Sequence, residues 1–122
     1  MMSINDMRVA MFSTDVSKIR GLHPKHGKDV NESLLQQGHF YPLYPTETAV
    51  PYSLKWENMV WNENPHLMFL ISDFPEIVYE FGGTTIINLG SMTKRNKLGY
   101  ISKVTIVDND APFKERVRVD LV

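Results

Sequence analysis

A chain of 122 residues is the length of one domain, and a domain of that size buries about two thirds of the surface its unfolded chain exposes. Its composition, 43% hydrophobic and 22% charged with a net charge of −1, excludes a disordered chain, a collagen-like chain and a polycationic nucleic-acid binder. Cysteine is absent, which removes disulfide scaffolds, cysteine zinc fingers, iron–sulfur centres and thiol catalysis together.

The first 22 residues carry two competing periods. Ser3 and Asp6 are residue types that cap a helix, and Ile4, Met7 and Met11 follow at helical spacing. Met7, Val9 and Met11 also alternate as a strand would. The expectation taken is helix, with a second short helix from Ser13 or Thr14 that carries Val16 and Ile19 and stops at Gly21. A further helix is predicted over Glu32 to Gln37, with Asn31 as its cap, Val30 stapled on Leu35, and Gly38 closing it in the left-handed conformation.

From His39 to Tyr52 the chain holds three prolines and four aromatic rings. Proline removes a backbone donor and drives the residue before it toward extended geometry, so this stretch is neither helix nor central strand. It reads as an extended arm, with Phe40, Tyr41, Tyr44 and Tyr52 as the side chains that would grip a protein partner or a neighbouring subunit. Folding the arm back over its own domain is the plainer alternative.

The remainder reads as strands and turns. Tyr52, Leu54 and Trp56 alternate, Asn62 to Pro65 turns the chain, and Leu67 to Ser72 is a buried strand. Gly82-Gly83 links Ile77–Phe81 to Thr84–Leu89 as a tight hairpin, with Ile77, Tyr79 and Phe81 sharing a face with Thr84, Ile86 and Asn88. A rival reading makes Phe74 to Phe81 a short helix. A last hairpin pairs Tyr100–Val107 with Arg116–Leu121 across the turn Asp108 to Pro112, placing Val117, Val119 and Leu121 on one side and Arg116, Arg118 and Asp120 on the other.

The fold class expected is therefore mainly β with α+β character at the N-terminus. It would be a small antiparallel barrel or sandwich of five or six strands with one or two short N-terminal helices. One domain would span residues 1–122, divided into a helical and loop segment (1–38), the arm (39–52) and an antiparallel β body (53–122). No apolar run approaches a membrane span, since the longest, Leu67 to Ile71, is five residues. The N-terminus lacks the basic start and apolar stretch of a secretory signal, and a cytoplasmic or virion setting is expected.

Chemistry-bearing patterns are sparse. His23 and His26 flank Pro24 and Lys25 in a turn, which supplies two of the three or four ligands zinc requires, and His39 or His66 would have to complete the set. Gly82-Gly83-Thr84-Thr85 lacks the lysine and the following helix of a phosphate loop, and no Gly-x-Ser-x-Gly elbow supports a triad. No catalytic, metal-binding or cofactor site is assigned. Charge is unevenly spread, with residues 39–90 at net −5 and residues 91–122 at net +3. Within the basic end, Lys94, Arg95, Lys97 and Tyr100 form a patch suited to phosphates and a stacked base.

These readings favour a non-enzymatic interaction or assembly module, of the kind found as viral or phage structural and inhibitor proteins, which self-associates or docks on a protein. The alternative is a small barrel that binds single-stranded nucleic acid, and the least favoured is a metal-dependent hydrolase built on His23 and His26.

Overall fold

The structure is a computed structural model that describes residues 1–15, 27–41, 56–90, 93–94 and 97–122. Its centre is a five-stranded mixed sheet built from β1 (Met2–Ile4), β2 (Met7–Asp15), β3 (Leu67–Ile71), β4 (Ile77–Phe81) and β5 (Thr84–Asn88). The spatial order is β1-β2-β3-β5-β4. β2, β3 and β5 run parallel, and β1 and β4 add an antiparallel strand at either edge. Helix α1 (Gly27–Gln37) lies in the long connection that a parallel β2–β3 pair requires.

Two short ladders follow: β6 (Thr93–Lys94) with β7 (Lys97–Leu98), and β8 (Ser102–Ile106) with β9 (Val117–Leu121). A single turn of helix, α2 (Phe113–Arg116), leads into β9.

The fold is mainly β with few helices, as expected, but the sheet is open and its core is parallel. An all-antiparallel barrel is thereby corrected. The physical reason is visible in the strands themselves. Ala10 and Phe12 of β2, Met68 and Leu70 of β3 and Ile86 of β5 pack on one side with Val30, Leu34 and Leu35 of α1. Val9, Leu67 and Ile87 pack on the other, beneath Val104, Phe113, Val117 and Val119. Strands covered on both faces lose the alternation that marks a half-wet antiparallel strand.

The N-terminal helix is corrected for the same reason. Residues 2–4 and 7–15 are strands β1 and β2, because Val9 and Ala10 each find a covering layer on opposite faces. The second helix expected from Ser13 falls on β2 and then on residues outside those described, as do Tyr52 and Leu54 of the strand expected there. That strand's last residue, Trp56, opens a 3-10 turn, Trp56–Met59. Helix α1 starts four residues before Asn31, so Asn31 is a buried helical residue and not its cap. Gly38 does close the helix at φ +61°, its N–H donating to the carbonyls of Leu34 (3.1 Å) and Leu35 (3.2 Å).

Both expected hairpins form, the first in its expected register, and the last with β9 starting at Val117 because Arg116 belongs to α2. Ile77 faces Asn88, Tyr79 faces Ile86 and Phe81 faces Thr84 around Gly82-Gly83, which excludes the rival helix over Phe74 to Phe81. Ser102 faces Leu121, Val104 faces Val119 and Ile106 faces Val117. The crossing from β3 to β4 is tied to β5 by buried polar groups. Ser72 Oγ donates to Asn88 Oδ1 (3.0 Å), and Asn88 Nδ2 donates to the carbonyls of Phe74 (3.3 Å) and Pro75 (3.1 Å).

Two imidazoles serve as backbone acceptors. The Tyr41 N–H donates to His39 Nδ1 (2.8 Å), and the Arg8 N–H donates to His66 Nδ1 (3.0 Å). Burial lowers the pKa of both, and the charge of Arg8 lowers that of His66 further against an opposing pull from Glu63. Each ring is thus neutral with its proton on Nε2.

This packing carries two testable consequences. A Cβ at Gly38 would meet the Trp61 carbonyl oxygen at 3.0 Å, whereas one at Gly83 (φ +80°) meets nothing within 4 Å. Urea unfolding should show Gly38→Ala costing about 2–3 kcal/mol and Gly83→Ala about 1 kcal/mol, since only the first adds a backbone clash to the left-handed strain. The second concerns acid. With both folded-state pKa values below the unfolded value of about 6.5, the unfolded chain binds more protons in that window. Thermal stability should therefore be level above about pH 6.5 and fall as pH drops below it, and the double variant His39→Asn/His66→Asn should flatten that decline.

Candidate functional site

The β8–β9 hairpin with α2 lies over Val9, Leu67 and Ile87 but stops short of one margin of the sheet. On β1, Met2 stands opposite Val9 and Ile4 opposite Met7, so both point to the hairpin side. Met11 and Ile71 continue that side toward the far ends of β2 and β3, since Met11 aligns with Phe69 two residues before Ile71. Met2, Ile4, Met11 and Ile71 are each about half exposed, Met11 most at 58%. β1 is also an edge strand, and among the described residues its outer backbone groups pair with no further strand. An apolar margin beside an open edge is the form of surface that meets another protein.

At the other end of this side the sheet meets the hairpin's loop, and the two enclose a cleft of about 640 Å³. Ile4, Met7 and Ile106 supply apolar wall, while Asp6, Asp108 and Asp110 bring carboxylates from two segments a hundred residues apart. His66 and Phe113 stack at 4.7 Å in its lining, with ring planes 28° apart. His66 is fixed from both sides, because its own N–H donates to the Arg8 carbonyl (2.9 Å) while its Nδ1 accepts from Arg8. The Arg8 side chain turns to Glu63 (3.1 Å) and the Asn64 carbonyl (3.1 Å). Among the described residues Arg116 is the one cation lining the cleft, and it is tethered through Nε to the Val107 carbonyl (2.9 Å). Among those residues, too, the three carboxylates form no ion pair, and no group of three or more His, Asp or Glu is placed to hold a metal ion.

The expected grip residues are distributed differently. Tyr41 is a core side chain, 5% exposed, and Phe40 is half-buried against Phe12 (4.7 Å) and Trp61 (4.9 Å). The start of the arm is hydrogen-bonded to its own chain, with the Phe40 N–H donating to the Met59 carbonyl (2.8 Å) and the Trp61 N–H to that of Gly38 (2.9 Å). These two rings therefore belong to the domain's own aromatic cluster, which corrects their reading as part of a free limb. Tyr44 and Tyr52 lie outside the described residues, as do Arg95, His23 and His26. Lys94 and Lys97 hold opposite positions in the β6–β7 ladder, and Tyr100 is exposed just beyond it.

Apart from His66, weighed there only as a metal ligand, the residues that line the margin and the cleft were not assigned to a site from the sequence. For Met2, Ile4 and Met11 the signal was the Met7–Val9–Met11 alternation. For Asp6 beside Asp108 and Asp110 there was none, since nothing local links a turn at residue 6 to a loop at residue 108.

No curated protein matches the chain. A family model for the B subunits of DNA polymerases alpha and epsilon matches residues 1–79, a stretch that includes β1 through β3 and all four residues of the margin. Covering well over half of the chain, that match shows that the protein belongs to the DNA polymerase alpha/epsilon B-subunit family.

Proposed function

We propose that the chain acts as a non-catalytic accessory subunit of a DNA polymerase, and that it joins its partner chain through the apolar margin of Met2, Ile4, Met11 and Ile71. A family of polymerase B subunits supports an interaction role and takes the place of the viral or phage-type protein expected from the aromatic arm and the lack of a catalytic constellation. The observation that carries the assignment to this face is the half-exposed margin beside the free edge of β1. Four apolar side chains left half in water at one border of a sheet gain from being covered. Burying the remainder of each contributes on the order of 1 kcal/mol. Core variants would not isolate this role, because Tyr41 and Phe40 hold the fold itself.

Co-expression with the catalytic chain of the cognate polymerase tests the reading. Ile4→Glu and Met11→Glu should each weaken retention of that chain by about tenfold or more, because a buried unpaired carboxylate costs well over the 1.4 kcal/mol that a factor of ten represents. Both sites face solvent in the isolated protein, so melting should stay within about 2 °C of the parent. Leu98→Glu, at a fully exposed position elsewhere, should leave retention unchanged. Full retention in both margin variants would remove this face from the proposal.

A second reading is contact with DNA through residues 94–100. The register sets Lys94 directly opposite Lys97, with Tyr100 exposed nearby. Gel shifts with single-stranded DNA at low salt should weaken steeply as salt rises, and Lys94→Ala/Lys97→Ala should reduce the salt slope by about 1–2.

A further inference from the structure

One imidazole ties the near end of the sheet to the layer that covers it. His66 stands just before β3. Its Nδ1 accepts the Arg8 N–H of β2 (3.0 Å), and its own backbone N–H donates to the Arg8 carbonyl (2.9 Å). The face of the same ring lies on Phe113, the first residue of α2, at 4.7 Å with the planes 28° apart. We infer that His66 is a proton-operated latch. Neutral, it clips α2 and the 108–110 loop to β2; protonated, it leaves Arg8 for the cleft and releases them. The inference goes beyond the docking reading above and needs no partner.

The latch follows from what each form of the ring can bond. A neutral imidazole has one acceptor nitrogen, and here the Arg8 N–H occupies it. Protonation makes that nitrogen a donor, so two nitrogens 3.0 Å apart would each direct a proton at the other. The charges around the ring favour different positions for its two forms. At the closed position burial and Arg8 resist an added positive charge, and Glu63 opposes them only in part. On the cleft side stand Asp6 from the β1–β2 turn and Asp108 and Asp110 from the β8–β9 loop. Among the described residues the one cation lining the cleft is Arg116 of α2, whose Nε is held by the Val107 carbonyl (2.9 Å). The cleft encloses about 640 Å³, which leaves an imidazole room to turn out about its side-chain bonds. The carboxylates there give the imidazolium acceptors that the closed position denies it.

Release acts on one layer. The backbone bond from His66 to Arg8 and the β2–β3 ladder do not involve the ring, so the sheet keeps its order. The hairpin stays seated on Val9, Leu67 and Ile87 through Val104, Val117 and Val119. Phe113 loses the ring it stacks on, and α2 is a single turn with no side-chain cap, so little local structure holds it. The loosened part is therefore the loop and α2.

The experiment is ring-nitrogen and amide NMR of the full chain between about pH 7.5 and about pH 5. At the upper end His66 should carry its proton on Nε2, with Nδ1 bare. As pH falls through a midpoint below about 6.5, Nδ1 should gain a proton and the Arg8 and Phe113 amides should shift with that same midpoint. Amide exchange over residues 108–113 should rise about tenfold or more relative to the intrinsic rate, while Met68 and Ile86 keep their protection. His66→Asn, which offers Arg8 an uncharged acceptor, should abolish the shared transition, and His39→Asn should leave it in place. Asp6→Asn/Asp108→Asn/Asp110→Asn should move the midpoint to lower pH, whereas Asp120→Asn, whose carboxylate pairs with Arg118, should not. A proton on Nδ1 at neutral pH, a transition that persists in His66→Asn, a midpoint unmoved by the cleft variant, or loss of sheet protection at that same midpoint would each overturn the latch. The ring spectra are read on the parent chain, so the test holds even where His66→Asn does not fold.

Discussion

The pairing of β2, β3 and β5 as parallel neighbours is the constraint on which the rest of the molecule depends. Parallel strands joined by crossings leave both sheet faces to be covered, since neither can be left apolar and wet. Here one face takes α1 through Val30, Leu34 and Leu35, and the other takes the β8–β9 hairpin through Val104, Val117 and Val119. The layers are helix, sheet and hairpin, and each exists because the strands between them are apolar on both sides.

The two covering layers are unequal, and that inequality produces the surfaces of interest. The helix side is extended by an aromatic cluster in which Phe12, Phe40 and Trp61 meet ring to ring, with the Phe40 N–H donating to the Met59 carbonyl and the Trp61 N–H to that of Gly38. Among the described residues the hairpin side has no such extension. Its strands are five residues each, enough to cover Val9, Leu67 and Ile87 but not the border at β1 or the far ends of β2 and β3. Where the hairpin's loop overhangs the near end of the sheet, it encloses a cleft, and where the hairpin falls short, apolar side chains remain in water. Both surfaces are consequences of one short ladder laid over a wider sheet.

His66 shows how closely the near end is held. It precedes β3 by one residue, and it pairs with Arg8 twice, once through its backbone N–H and once through its ring. The Arg8 N–H at this end of the β2–β3 pair finds its acceptor in the imidazole ring, and an unmet donor there would carry a desolvation cost of about 1–3 kcal/mol. The same bond fixes the tautomer that keeps the imidazole in the cleft lining uncharged, so a structural pairing and an electrostatic property have one cause.

Much of the local structure was legible in the chain itself. Gly82-Gly83 between β-branched runs specified a tight hairpin and its register, because two residues that accept positive φ allow only a few pairings. Alternation over 100–107 and 116–121 specified the last hairpin, and Gly38 marked the end of α1. What these signals lack is direction and range. Val9, Ala10, Met11 and Phe12 form an unbroken apolar run with no polar alternation to mark a strand, so helix and strand looked alike there. Whether β3 lies parallel to β2, whether Tyr41 turns inward, and which loop stands across from Asp6 depend on contacts between residues dozens of positions apart. Turn chemistry and alternation act over a few bonds and are written in the sequence, whereas the choice of neighbours on a sheet is made by burial, which only the assembled layers decide.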